Sequence, residues 1–192
     1  MPTTRCRWIA ALLVFVFALS PAPCPARTEE GAVLEDMVVT NTRDHLLLYL
    51  EMKGAFTPDV RRAVESGIAT TFSFFITLHQ VRNVWFNHEI ADITVTHTIK
   101  YDTLKKEYLV TRSETPDKPL VTHSLVDAEK AMSRIDGLVV TSLDNLEKGR
   151  PYQIKAKAEL DRVTLPLGLH YVFFFVSLWD FETDWHTIDF YF

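Results

Sequence analysis

From Asp92 to Lys100 apolar and polar positions alternate without a break. Ile93, Val95, His97, Ile99 and Tyr101 fall on one face, Asp92, Thr94, Thr96, Thr98 and Lys100 on the other. A period of two over this length, rich in β-branched and aromatic residues, is the pattern of a half-buried antiparallel strand. Asp102-Thr103-Leu104-Lys105-Lys106 supplies a turn, and Glu107-Tyr108-Leu109-Val110-Thr111-Arg112 returns as the second strand of a β-hairpin.

The same period recurs along the chain. Val33 to Thr40 and His45 to Met52 predict a strand pair around a turn at Asn41-Thr42-Arg43-Asp44. Both faces of the second strand are largely apolar, which predicts a central place in its sheet. From Thr70, Phe72, Phe74, Ile76 and Leu78 share one face, and the strand loses its pattern at Val81 to Phe86, expected as a bulged end. Leu138 to Leu143 predicts a short strand, and Asp144 to Pro151 a polar turn. Tyr152 to Leu160 is the second clean alternation, with Tyr152, Ile154, Ala156, Ala158 and Leu160 inward. Ile188, Phe190 and Phe192 share a face in the last segment.

Helical spacing appears twice. Thr57-Pro58-Asp59 carries a hydroxyl N-cap, a first-turn proline and a first-turn carboxylate, followed by the stripe Val60, Ala63, Val64 and the stop Gly67. Ser124 caps a second helix with Asp127 at N3, a stripe of Leu125, Ala128 and Met132, and an expected end near Asp136-Gly137. Ser113 to Pro119, with two prolines, reads as a loop. The expected fold is therefore mainly β, an antiparallel β-sandwich or half-barrel with two short connecting α-helices.

Two apolar stretches stand outside these periods. At the N-terminus Arg5 and Arg7 precede the unbroken apolar run Trp8 to Leu19, and a Pro/Ala-rich stretch ends at Ala26. That is the form of a cleaved secretory signal peptide, residues 1–26, leaving one β-rich domain from residue 27 to 192 on the extracytoplasmic side. An uncleaved anchor is the alternative, although a run of about a dozen residues is short of the roughly 20 that span a bilayer. Val163 to Trp179 is 17 residues without a formal charge, interrupted by Pro166 and Gly168. It predicts either a buried element that seals the core or an apolar surface, centred on Phe173, Phe174, Phe175 and Trp179, that docks on a membrane or a partner protein.

Composition narrows the function classes. Both cysteines, Cys6 and Cys24, lie before Ala26, so a chain beginning at Arg27 has no thiol and no disulfide-linked partner. Without Arg5 and Arg7, 18 basic residues face 25 acidic ones, a formal charge of −7. An acidic balance disfavours nucleic acid, whose phosphates are held by clustered Lys and Arg. No nucleophile elbow, zinc-binding helix motif or phosphate-cradling glycine loop is present, so no catalytic residue and no cofactor are assigned. His88, Glu89 and His97 are too widely spaced along one strand to share a ligand sphere, at about 3.3 Å per residue. His97 is expected as a satisfied core histidine. Asp180-Phe181-Glu182-Thr183-Asp184 with His186 is the densest set of ligand atoms, expected as a solvated acidic turn because it lacks the glycine of a dedicated calcium loop. Arg61, Arg62 and Arg82 bind one anion only if folding brings them together.

Several of these segments carry a family likeness. The join Val64-Glu65-Ser66-Gly67-Ile68, the strand ending at Arg82 with Trp85 nearby, Ile99-Lys100-Tyr101-Asp102-Thr103-Leu104 leading to Tyr108-Leu109-Val110, and Tyr152-Gln153-Ile154 with Leu165-Pro166-Leu167 resemble the DUF4390 domain family, bacterial exported proteins of unknown function. The likeness runs from about Leu34 to Phe192. It implies a one-domain periplasmic or membrane-associated envelope protein with no established activity, and a loose link to neighbouring sensor kinases. The expected function is that of a non-catalytic envelope binding or accessory module, its partner a membrane surface or an envelope protein. The alternatives are a carrier of an apolar ligand, a small outer-membrane β-barrel and a metal-dependent enzyme.

Overall fold

Four of the strands expected from period-two alternation form the middle of one large sheet, and the reason is visible in which face each buries. A computed structural model of the chain describes residues 31–82, 87–161 and 182–192. The expected signal segment and the apolar stretch from Val163 to Trp179 lie outside the described residues. In chain order the elements are β1 (Val33–Asn41), β2 (His45–Lys53), α1 (Pro58–Glu65), β3 (Thr70–Gln80), β4 (His88–Asp102), β5 (Glu107–Arg112), β6 (Leu120–Thr122), α2 (Leu125–Ser133), β7 (Arg134–Ser142), a 3-10 turn at Leu143–Asn145, β8 (Pro151–Leu160) and β9 (His186–Tyr191). A three-stranded sheet runs β1-β2-β7 and a six-stranded sheet β6-β5-β4-β3-β8-β9. One of the two sheets is a half-barrel, and the fold is mainly β with two helices among the described residues.

β3 is the axis of the large sheet, paired antiparallel with β4 from Thr70↔Ile99 and with β8 from Phe72↔Leu160. Phe72, Phe74, Ile76 and Leu78 are fully buried on its inner face, each worth about 1.5–3 kcal/mol of transfer free energy. Ile154, Ala156 and Ala158 from β8 and Val95 and Ile99 from β4 lie beside them. The same apolar cluster takes in Leu46, Leu48 and Leu50 of β2 and Ile135 of β7, so the two sheets share one core. Ile188 and Phe190 of β9 pack against it, and Phe190 stacks on Tyr152 at 5.7 Å.

α1 begins as its sequence dictates: the Thr57 side chain accepts a hydrogen bond from the Val60 N–H, Pro58 opens the helix, and Val60, Ala63 and Val64 are buried. Among the described residues no helix is long and apolar enough to cross a membrane.

Two features differ from expectation, the end of α2 and an additional strand. α2 stops at Ser133, and β7 begins at once with Arg134. Gly137, which reads as a helix terminator, lies inside β7 at φ 74, where the pairing with β2 shifts register. Tertiary pairing with Leu50 and Glu51 of β2 captures Ile135 and Arg134 before helical propensity can extend the helix. The β3–β4 pairing shifts register at Leu78/His79, and of the bulged end expected over Val81 to Phe86, residues 83–86 lie outside the described residues. β6 is an additional three-residue strand against β5, too short and too close to Pro119 to show a period.

Candidate functional site

Those positions singled out in the sequence that are described do not converge. Phe173, Phe174, Phe175 and Trp179 lie outside the described residues. Arg61 donates to both carboxylate oxygens of Glu129, at 2.6 and 3.0 Å, Arg62 pairs with Asp59, and the Arg82 guanidinium reaches Gln80 at 3.1 Å. The three arginines are thus committed to separate partners. His79 Nε2 lies 3.7 Å from Glu89, and His88 is exposed at the start of β4. Glu182 accepts from Lys157 at 2.8 Å, while the Lys157 ammonium also lies 5.3 Å from the rings of Phe75 and Trp185. Among the described residues no group of three His, Cys, Asp or Glu side chains is placed to hold a metal.

His97 is a core histidine with both ring nitrogens partnered, as expected, yet its partners give it a further role. Strand alternation turns it inward beside Phe74, ring centroids 5.0 Å apart. Nδ1 lies 2.8 Å from the carbonyl oxygen of Met132. A carbonyl can only accept, so Nδ1 carries a proton and satisfies one of the last carbonyls of α2, which has no partner within the helix. Nε2 lies 3.0 Å from Glu114 Oε1, and a proton must sit between those two atoms. Burial works to raise the Glu114 carboxyl; the hydrogen bond from His97, its own backbone N–H and the charges of His97 and Arg112 outweigh this and hold it below the usual carboxylate range. Arg112 Nε stands 3.8 Å from the same oxygen. His97 therefore ties the end of α2 to the loop that follows β5.

Those two segments are the walls of a cleft of about 380 Å³. Asp127, Lys130, Ala131 and Arg134 line one side; spacings of three and four residues bring the helical ones onto one face of α2, with Arg134 just past its end. Arg112, Lys118, Pro119 and Leu120 line the other, and Asp136 of β7 closes the end. The loop wall is held by successive turns, Thr115 N–H to Arg112 O and Lys118 N–H to Thr115 O, both 3.1 Å, and by Ser113, whose N–H donates to Thr96 O and whose hydroxyl accepts from Thr96 N–H, both at 2.9 Å. Arg134 Nε lies 3.3 Å from Glu51, its partner across the β2–β7 ladder. Lys118 and Lys130 are exposed and make no ion pair among the described residues.

Four cations and two carboxylates line this cleft, with Glu114 and Glu51 standing against Arg112 and Arg134, on a chain whose formal charge is −5. A second hollow of about 370 Å³ on the other flank of α2 is lined by Arg61, Glu51 and Glu129 and shares Lys130 with the first. The cationic cleft has no signature in the sequence, because its residues come from a strand end, a loop, a helix and the strand after it. The one trace is that Arg112, Lys118, Lys130 and Arg134 fall within a single β-α-β stretch.

Two antiparallel sheets around one core, with a helix and a loop walling a cleft, define a mainly β protein. The chain belongs to the family described as Domain of unknown function (DUF4390), whose model matches residues 29–189. No curated protein and no solved structure matches it.

Proposed function

We propose that the protein is an exported, non-catalytic binding module of the cell envelope and that the cleft beside α2 is its binding surface. The observation that carries this reading is the convergence of Arg112, Lys118, Lys130 and Arg134 on one hollow of an acidic chain. Glu114 and Glu51 stand against the two arginines, and the two lysines left without an ion pair among the described residues suit an anionic partner. Export is supported by Arg5, Arg7, the apolar run Trp8 to Leu19 and the small-residue end at Ala26. The partner belongs to the extracytoplasmic side, as a membrane surface, an envelope protein such as a sensor kinase, or a solute of that compartment.

Fractionation of cells producing the tagged full-length chain, with determination of the mature N-terminus, is expected to place the protein outside the cytoplasm and beginning at Arg27. Retention in the cytoplasm with Met1 intact overturns export. A thermal-shift series at constant ionic strength, with anions, cations and neutral sugars, is expected to raise Tm with anions alone. A Tm indifferent to every member of the panel overturns the cleft as a binding surface.

A further inference from the structure

We infer that the cleft is a phosphate site, taking the phosphomonoester group of a small solute or of a lipid headgroup; this rests on the cleft being the binding surface proposed above. Charge is the first reason. Of the four cations that line the cleft, Arg112 and Arg134 already face Glu114 and Glu51, while Lys118 and Lys130 make no ion pair among the described residues; a phosphomonoester carries about −1.5 to −2 at neutral pH, matching those two ammonium charges. A monocarboxylate matches one of them.

Donor geometry is the second. Arg112 and Arg134 stand on opposite walls, and each turns Nε toward a protein carboxylate, Glu114 at 3.8 Å and Glu51 at 3.3 Å. Those contacts orient the planar guanidinium groups, which suits bidentate recognition of phosphate oxygens. Lys118 and Lys130, exposed and uncommitted among the described residues, supply mobile ammonium groups for the remaining oxygens. The hollow on the other flank of α2 has one arginine, and that one donates from Nε and from a terminal nitrogen to the two oxygens of Glu129.

The remaining lining suits what the phosphate is attached to. Pro119 and Leu120 on one wall and Ala131 on the other are apolar, and a volume of about 380 Å³ lies in the range of small-molecule sites. Leu120 and, next to it on β6, Val121 are exposed large apolar side chains, at 38% and 53% of their surface. A soluble ester and a headgroup phosphate present the same chemistry to the four cations, and the two sources are separable by experiment.

The test uses the full mature chain. Calorimetric titration with inorganic phosphate, glycerol phosphate and acetate is run at constant ionic strength, beside flotation with phosphatidylcholine vesicles with and without phosphatidic acid. The comparison protein is Lys118→Gln/Lys130→Gln, whose two positions are exposed, with Tm as the check that it folds. Binding of glycerol phosphate or inorganic phosphate that falls about tenfold or more per lysine removed supports a soluble ligand. Flotation that needs phosphatidic acid and is lost in the double variant supports the lipid source. Asp136→Asn, which removes a negative charge from the cleft, is expected to tighten whichever binding is seen. Acetate bound as tightly as phosphate overturns the phosphate assignment and leaves the binding surface standing. Phosphate binding unchanged by the double variant overturns it too, and an absence of binding by every anion overturns both readings.

Discussion

His97 lies on β4 with its ring nitrogens spent on two other segments, the Met132 carbonyl and the Glu114 carboxylate. Replacing it by phenylalanine keeps the shape roughly and removes both donors, leaving a buried carbonyl and a largely buried carboxylate unmatched. His97→Phe is expected to destabilise by about 1–3 kcal/mol, read as a shift in the midpoint of urea unfolding at constant slope. Glu114 itself makes a pH prediction. Its carboxyl is held below the ordinary value of 4.5 in the folded chain. In the window between those two values the unfolded chain binds a proton that the folded chain does not, so stability rises with pH there. The contribution is complete above about pH 4.5 and is lost as pH falls through the folded value. Glu114→Gln cannot titrate, so its Tm is expected to fall less steeply in acid than that of the unchanged protein. Parallel acid limbs for the two proteins would show that the His97–Glu114 contact carries no such linkage.

At the level of elements, β7 shows how one residue redirects a segment. Gly137 adopts φ 74, and a Cβ built there would stand 3.2 Å from the Tyr49 hydroxyl and 3.5 Å from its ring carbon Cζ. Gly149 has nearly the same φ, 73, with nothing within 4 Å. Both therefore carry the left-handed backbone cost of about 1–2 kcal/mol when given a side chain, and only Gly137 adds a collision across the β2–β7 ladder. Gly137→Ala is expected to lower stability more than Gly149→Ala, and Tyr49→Phe to recover part of the difference by removing the nearest atom; equal costs for the two alanine variants would mean that Tyr49 yields freely. The glycine also marks where sequence reading stopped working. Alternation found β3, β4, β5 and β8 because each buries one face against the shared core, the run with two largely apolar faces found β2, and the capping residues Thr57 and Ser124 found both helix starts. The end of α2 was not legible, because Gly137 serves a strand, and the choice between helix and strand for Arg134 and Ile135 is made by β2, more than eighty residues earlier. The cleft was illegible for a related reason: its charges stand singly along the chain and come together only when α2 packs against β5 and β6.

On the scale of the whole molecule, one question is whether the small sheet unfolds with the large one. β3 is flanked along its length by β4 and β8, and its inner side chains are fully buried. Its amides should therefore exchange only through global opening, whereas three-residue β6 and the outermost strand β9, which sit at the two ends of their sheet's order, exchange through local opening. β2 belongs to the other sheet, yet Leu46, Leu48 and Leu50 enter the same apolar cluster as Phe72, Phe74 and Ile76. Two sheets that each bury one face against the other have no separate core to fall back on. Phe74→Ala, which opens a cavity at the centre of that cluster, is expected to cost about 3–5 kcal/mol. If the core is single, hydrogen exchange should then lose equal protection in β3 and in β2, although no backbone hydrogen bond joins the two strands. Protection lost in β3 and kept in β2 would mean that the three-stranded sheet is a separate unit of stability, held by Ile135, Leu48 and its own ladder rather than by the packing between sheets.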